Sequence, residues 1–432
     1  LDNLTWLYGD STVPARPAKT IEMDVARNGT ASAQVLVEAD GPVAVKVAAR
    51  GARVYQLLAV PVEKNTGLVG FIEKKGEVNP HVTRRAPFEV FDAMMPLTGK
   101  AEPTGGRVAL CVQVPIPAGS RPGRRQIAID LTAGSERRRL TLRVNVHAAR
   151  IPPVSAKTLK YTNWFSLANM ASRHGVCPWS TDHWQMIRKY ARLMVYGRQN
   201  TFWLSTGGLF SVRRYGPVLD AGRLRRLVKL FTGAGMHYIE GPHLARRMGK
   251  DWHTDRFAVG IKPDLPAGSG EGAEWIGSMA RQLYAEIVRN GWQGRWMQHV
   301  TDEPIDENAT DYRLIAGIIR KHMPGVRLIE AALCNDLAGS IDIWVPQNWG
   351  YEQDRKFFER QRALGDEIWH YTCCQPGGPY LNRLMDGELL RPALLHWGNA
   401  LYDLCGFLHW GLNQYRSSQD PLRQSVVPHA GG

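Results

Sequence analysis

No stretch of this 432-residue sequence is apolar for long enough to cross a membrane. Cysteine is sparse. The six residues Cys111, Cys177, Cys334, Cys373, Cys374 and Cys405 show no CxxC spacing and fall well short of the density of a disulfide-built scaffold. The adjacent pair Cys373-Cys374 is not expected to bridge to itself, because neighbouring residues seldom meet the bond geometry. No HExxH, GxSxG, P-loop or GxGxxG motif occurs. His370, His396 and His409 lack metal-ligand spacing, so neither a metal nor a cofactor is expected. The formal charge is +14 (54 basic minus 40 acidic residues). It is spread along the chain apart from short clusters such as Arg137-Arg138-Arg139, with no long basic run and no interleaved basic and aromatic residues. A nucleic-acid partner is therefore not expected. The chain opens at Leu1 without a signal sequence, as a processed or trimmed chain would. No oligomeric state follows from the sequence.

What is present is the balance of a globular protein, with 44% apolar and 22% charged residues in a chain long enough for two domains. Residues 1–150 read as β-rich. Leu140, Leu142, Val144 and Val146 alternate with Thr141, Arg143 and Asn145, and Ile127, Ile129 and Leu131 alternate in the same way. Period-two alternation puts one face on a core and the other in water. Gly134-Ser135 supplies a hairpin turn between these runs. Further strands are expected at 33–37, 43–48 and 108–114, and short strands at this spacing indicate a β-sandwich. Ile151-Pro152-Pro153 marks the boundary, because proline cannot extend a ladder.

Residues 151–432 change pattern. Eight apolar runs, at 159–164, 200–204, 237–240, 295–300, 327–332, 341–346, 367–371 and 406–410, read as strands. Between most of them lie amphipathic segments. Trp184, Ile187, Ala191 and Met194 share a helical face, as do Leu224, Leu227 and Phe231. Trp275, Met279, Leu283 and Ile287 form a third face, and Tyr312, Ile315 and Ile319 a fourth. Alternation of strand and helix implies parallel strands, and eight of them fit a (β/α)8 TIM-type barrel. The connection from Cys334 to Ser340 is too short for a helix, the closing helix after the eighth strand is missing, and 416–432 read as loop.

A barrel places its site at the C-terminal strand ends. Asn163, Trp164, Asn200, Glu240, Asn335, Gln347 to Trp349, His370, Tyr371, Trp410 and Asn413 lie there. Aromatic faces with amides and carboxylates make a carbohydrate cleft. The chemistry falls on Asp302 and Glu303, at the end of the fourth expected strand in His299-Val300-Thr301-Asp302-Glu303-Pro304. Glycosidases usually hold two separated carboxyl groups across the bond. Adjacent ones suit the variant in which the substrate's own 2-acetamido group is the nucleophile, with Glu303 as the acid and Asp302 holding the amide. Two close carboxylates raise each other's pKa. Pro304 is expected to bias Glu303 toward an extended backbone. The same residues also fit a solvated turn whose neighbours Asp306 and Glu307 cap the next helix.

The stretch 299–304 resembles the fourth-strand motif of glycoside hydrolase family 123 and its related bacterial domains. Asn163-Trp164-Phe165, Gly197-Arg198-Gln199-Asn200, Trp369-His370-Tyr371-Thr372-Cys373-Cys374 with Pro376, and Gly406-Phe407-Leu408-His409-Trp410-Gly411 with Asn413 resemble its other strand motifs. Asn382-Arg383, Asp386, Arg391 and Trp397 follow in the expected order. The resemblance implies a β-sandwich followed by a (β/α)8 barrel. It also implies retaining removal of β-linked N-acetylhexosamine, with GalNAc favoured, through an oxazolinium. On it, Asp302 orients the acetamido group, Glu303 is the acid/base, and Trp164, Tyr371, Trp397, Trp410 and Asn413 bind the sugar. The expected partner is a glycan or glycoconjugate, in a secreted or periplasmic bacterial setting. A glycosidase of other specificity and a non-catalytic glycan-binding protein are the alternatives.

Overall fold

The computed structural model describes residues 1–249, 251–416 and 418–424. The chain divides into two compact units, 1–153 with 374–395 and 418–432, and 154–373 with 396–417.

The first unit holds eight strands: β1 (Thr20–Arg27), β2 (Thr30–Glu38), β3 (Val43–Val47), β4 (Arg53–Val62), β5 (Phe88–Pro96), β6 (Arg107–Pro115), β7 (Gly123–Ala133) and β8 (Glu136–Arg150). They form two four-stranded sheets, β1-β8-β7-β3 and β2-β6-β4-β5. Residues of both sheets share one core. Val35, Leu110 and Val112 from one meet Ile129, Leu142 and Val144 from the other, as the period-two pattern requires. Ala133 pairs with Glu136 across the Gly134-Ser135 turn. The later segment 374–395 belongs to this unit. Asp386 is buried there and accepts hydrogen bonds from Thr66 N (2.7 Å), Thr66 Oγ1 (2.9 Å) and Asn65 Nδ2 (3.1 Å).

The second unit alternates strand and helix. In chain order it contains β9 (Lys160–Asn163), α1 (Leu167–Arg173), α2 (Thr181–Tyr196), β10 (Thr201–Trp203), α3 (Thr206–Leu209), β11 (Phe210–Arg213), β12 (Gly216–Leu219), α4 (Ala221–Ala234) and β13 (Tyr238–Gly241). An antiparallel insertion follows, made of β14 (Ala245–Arg247), β15 (Phe257–Val259) and β16 (Lys262–Pro266). Then come α5 (Gly270–Arg289), β17 (Trp296–Gln298), α6 (Ala309–His322), β18 (Arg327–Glu330), β19 (Ile343–Trp344), α7 (Asn348–Gln353), α8 (Arg355–Ala363), β20 (Glu367–Ile368) and β21 (His370–Tyr371). After α9 (Leu390–Leu401) the last strand is β22 (Gly406–His409). Ser180, Asp220 and Ser269 cap α2, α4 and α5 through their side chains, which satisfies otherwise unpaired N–H groups of the first turn. All four expected helical faces form, and they point into one apolar core.

Strands form at all eight expected places and pair in parallel, but the ladder is not one closed ring. β10-β13-β17-β18-β19-β20 make a six-stranded sheet and β21-β22-β9 a three-stranded one. Between β9 and β10 a side chain intervenes. Tyr161 N donates to Asn200 Oδ1 (2.9 Å) instead of to a strand carbonyl. The other break falls at Trp369, which divides the seventh expected strand into β20 and β21. Among the described residues no helix follows β22. The expected loop over 416–432 is described only in part, since Ser417 and 425–432 lie outside the described residues.

Gly406 shows how tightly β22 meets its neighbour. A Cβ there would lie 2.2–2.6 Å from ring atoms of the fully buried Trp369. Gly406→Ala should therefore cost about 1–3 kcal/mol through overpacking. Denaturant unfolding of the two proteins measures this, and a loss below about 0.5 kcal/mol would show that the ring can move aside.

Candidate functional site

The site is built outward from β17. Immediately after this strand, His299 lies fully buried between two fully buried glutamates. Its Nε2 is 2.7 Å from Glu240 Oε1 at the end of β13, and its Nδ1 is 3.3 Å from Glu330 Oε1 at the end of β18. Burial by itself would lower the imidazole's pKa. Hydrogen bonds and charge from both glutamates outweigh it and raise the pKa to about 10, so the ring is an imidazolium at neutral pH. Each glutamate is held by further donors. Trp164 Nε1 (2.7 Å) and Thr162 Oγ1 (2.8 Å) donate to Glu240. Tyr312 OH (3.2 Å) and the main-chain N–H groups of Val300 (3.3 Å) and Thr301 (3.2 Å) donate to Glu330. Ligand-type atoms of His243, His299 and Glu330 lie within 4.8 Å of one another. His299 already uses both ring nitrogens on the glutamates. His243, neutral because burial and the neighbouring His299 hold its pKa well below 6.5, is left with a buried Nε2 that has no hydrogen-bond partner.

Three residues further on stand Asp302 and Glu303. Asp302 reaches solvent, yet it sits in a recess where the surrounding protein, Glu303 and Glu330 push its carboxyl up to about 7. His299 and Arg247 oppose that rise. Burial also raises Glu303, with Glu330 adding to the rise, against the hydrogen bond from Tyr371 and the charge of Arg247. Both carboxyl groups are thus held above the usual carboxylate range. Tyr371 on β21 donates its hydroxyl hydrogen to Glu303 Oε1 and accepts from Gln347 Nε2 (3.0 Å), whose own Oε1 takes the Trp349 indole N–H. Glu303 has φ +45°, in the left-handed region. The extended conformation expected from Pro304 is thus not adopted. Arg247 donates to the carbonyls of Asp302 and Glu303, one on each side of the Glu303 Cα, and supports the rarer geometry.

The sequence-derived candidates divide. Tyr371, and behind it Trp349, join the carboxylate pair. Trp164 packs inward, stacked on Trp203 at 5.3 Å with its N–H on Glu240, and so supports the buried charges. Asn163 pairs with Gln199 (3.3 Å), and His370 meets the Phe407 ring edge-on at 5.0 Å. Trp410 packs against the cluster containing Trp164 and Tyr371. Asn200 precedes β10 and ties down Ser155 and Thr158, at the opposite end of the strand from the carboxylates. Asn413 is occupied on both sides by the Ser166 backbone. Trp397 lies on α9, 74% exposed. A strand-end position does not reveal what an amide or indole bonds, which is why these diverge. Gln347, among the expected strand-end residues, joins the pair through Tyr371, whereas sequence reasoning missed Arg247 and Glu330; Arg247 sits in an insertion with no recognisable spacing. A cavity of about 400 Å³ opens beside Trp203, walled by Phe165, Trp179, His183, Ser205 and Gln414. None of the six cysteines is in a disulfide, the adjacent Cys373 and Cys374 included.

Residues 246–431 match the family model described as glycoside hydrolase 123, catalytic domain. Among solved structures, a family 123 glycoside hydrolase from Clostridium perfringens, described for glycolipid glycan hydrolysis, aligns with TM-score 0.74 at 11% identity. The alignment covers 96% of this chain and 78% of that one. A β-D-glucuronidase from Dictyoglomus thermophilum aligns with TM-score 0.39 at 10% identity over 90% and 86% of the two chains. No curated protein matches the sequence.

Two outcomes follow from the electrostatics. His299→Leu strands Glu240 and Glu330 without their cation and should cost about 3–5 kcal/mol in chemical unfolding. A loss under about 1 kcal/mol would mean the glutamates find other partners. Asp302 has its pKa raised in the fold from 3.8 to about 7, so the folded state binds the extra proton and stability falls as pH rises through that window. Asp302→Asn should then raise Tm by on the order of 2 °C at pH 8.5, with the gain shrinking toward pH 4. Differential scanning fluorimetry across pH decides it, and an equal or lower Tm at pH 8.5 refutes the shift.

Proposed function

We propose that this chain, a member of glycoside hydrolase family 123, removes β-linked N-acetylhexosamine, GalNAc first, from glycans or glycoconjugates by substrate-assisted retention. The observation that carries this reading is the adjacency of Asp302 and Glu303, with Tyr371 donating to one oxygen of Glu303. In this reading the two parallel sheets act as an interrupted (β/α)8 barrel with the site at the strands' C-terminal ends, residues 151–432 form the catalytic domain, and a secreted or periplasmic location goes with the glycan substrate.

The acetamido oxygen attacks the anomeric carbon while the bond to the leaving oxygen breaks, and Glu303 delivers its proton to that oxygen. Asp302, ionised once the acetamido N–H donates to it, stabilises the positive oxazolinium. Water then adds at the anomeric carbon, gives its proton to Glu303, and reopens the ring with overall retention. Tyr371, donating to Oε1, leaves the other oxygen of Glu303 to carry the transferable proton. Burial first, and then the Glu330 charge, raises both carboxyl groups, which keeps an acid available near neutrality. The aromatic cavity beside Trp203 supplies apolar faces for the rest of the glycan.

Aryl β-GalNAc and β-GlcNAc should both be tested, with other aryl glycosides and a glycolipid glycan alongside, and the anomer of the product read by NMR. Release of GalNAc with retention is expected, and release of only a sugar lacking a 2-acetamido group would overturn the mechanism. Glu303→Gln should lower turnover about 10²–10⁴-fold on poor leaving groups and less on activated aryl glycosides. Equal losses on both would remove Glu303 as the acid. A thiazoline mimic of the oxazolinium should inhibit strongly.

A further inference from the structure

We propose that Arg247 is a positioning residue of the hydrolase site, clamping the main chain of Asp302 and Glu303 so that the acid keeps its left-handed backbone and its aim. The inference rests on the reading of the dyad above and adds the element that holds it.

The clamp is a fork. Nη1 donates to Asp302 O at 3.0 Å and Nη2 to Glu303 O, while Nε donates to Trp252 O at 3.0 Å. The guanidinium carbon lies 3.7 Å from the centre of the Trp252 ring, so one face of the cation is covered by an aromatic surface. A planar fork of this kind fits two carbonyl oxygens at once, which an ammonium does not.

The support behind the fork is rigid. Arg247 ends β14, paired with Phe257 of β15. Phe257, Ala258 and Val259 are fully buried, and Phe257 N donates to Asp311 Oδ2 at 2.7 Å. Two residues before Arg247, Ala245 N donates to Val300 O at 2.9 Å. The insertion therefore lies along the segment after β17 and bonds it at Val300, Asp302 and Glu303.

The load on the clamp is the conformation of Glu303. A non-glycine residue at φ +45° is strained against its own Cβ, and a following proline favours extended backbone. Nothing in the local sequence Thr301-Asp302-Glu303-Pro304 calls for this geometry. Arg247 supplies two hydrogen bonds that depend on it. Its positive charge also lies near both carboxyl groups, whose other charged or titratable neighbours are His299, Glu330 and Tyr371.

The test compares Arg247→Ala, Arg247→Lys and Trp252→Ala with the wild type on activated aryl glycosides. Arg247→Ala should lose about 10²-fold or more in kcat with KM changed less than about threefold, and millimolar guanidinium should restore at least a tenth of the wild-type rate. Arg247→Lys keeps the charge but not the fork and should lose about tenfold. Trp252→Ala should lose several-fold in kcat alone. Arg247→Ala activity within threefold of wild type, or a loss that guanidinium does not restore, overturns the clamp. If Arg247→Ala does not fold, an unchanged kcat in Trp252→Ala overturns it. A crystal structure of Arg247→Lys gives a readout independent of turnover: Glu303 should leave the left-handed region, and a retained φ near +45° overturns the clamp. A wild type inactive on every glycoside would instead overturn the hydrolase reading, with that crystal structure still deciding the clamp.

Discussion

The rest of the site depends on one buried cation. His299 sits at zero exposure between Glu240 and Glu330, themselves fully buried. Charges in such a place persist only when paired and hydrogen-bonded, and here the pairing draws on several elements at once. Thr162 and Trp164 come from β9 and its end, Glu240 from β13, Glu330 from β18, and Tyr312 from α6. Two of these three charges also act on Asp302, whose carboxyl is raised first by burial and by Glu303: Glu330 adds to the rise and His299 opposes it. A fold-stabilising network and the tuning of a carboxyl pair are in this protein one set of contacts.

Around that centre the dyad is held from two sides. Tyr371 fixes one oxygen of Glu303, backed by Gln347 and Trp349. Arg247 fixes the peptide from the other side and is itself covered by Trp252. A positioned acid needs both its carboxyl orientation and its backbone defined, because a small misplacement is expensive in rate. The insertion β14–β16 interrupts the strand–helix alternation. Its edge lies along the residues after β17, which gives the departure from regular alternation a physical purpose.

The sequence by itself determined the elements and set Asp302 beside Glu303. Strand and helix periodicities are local, so the sandwich hairpin at 134–135, the strands of the second unit and the faces led by Ile187, Leu227, Leu283 and Ile315 were all legible. Asp302, Glu303 and Tyr371 were legible too, because adjacent acids and an aromatic strand end are unusual and share a motif. Tertiary structure decided the rest. Whether Trp164 or Asn413 meets a sugar or a neighbouring backbone depends on partners tens to hundreds of residues away, and it made both of them struts. Asn200 took the place of a ladder bond between β9 and β10 and Trp369 divided the seventh expected strand, so the expected ring of strands became two sheets. Glu303 took a left-handed backbone against the preference that Pro304 imposes, because two hydrogen bonds from Arg247, more than fifty residues earlier, are available only in the folded chain. Local patterns are written in consecutive residues, whereas the direction of a buried donor is set by whichever acceptor the fold brings to it.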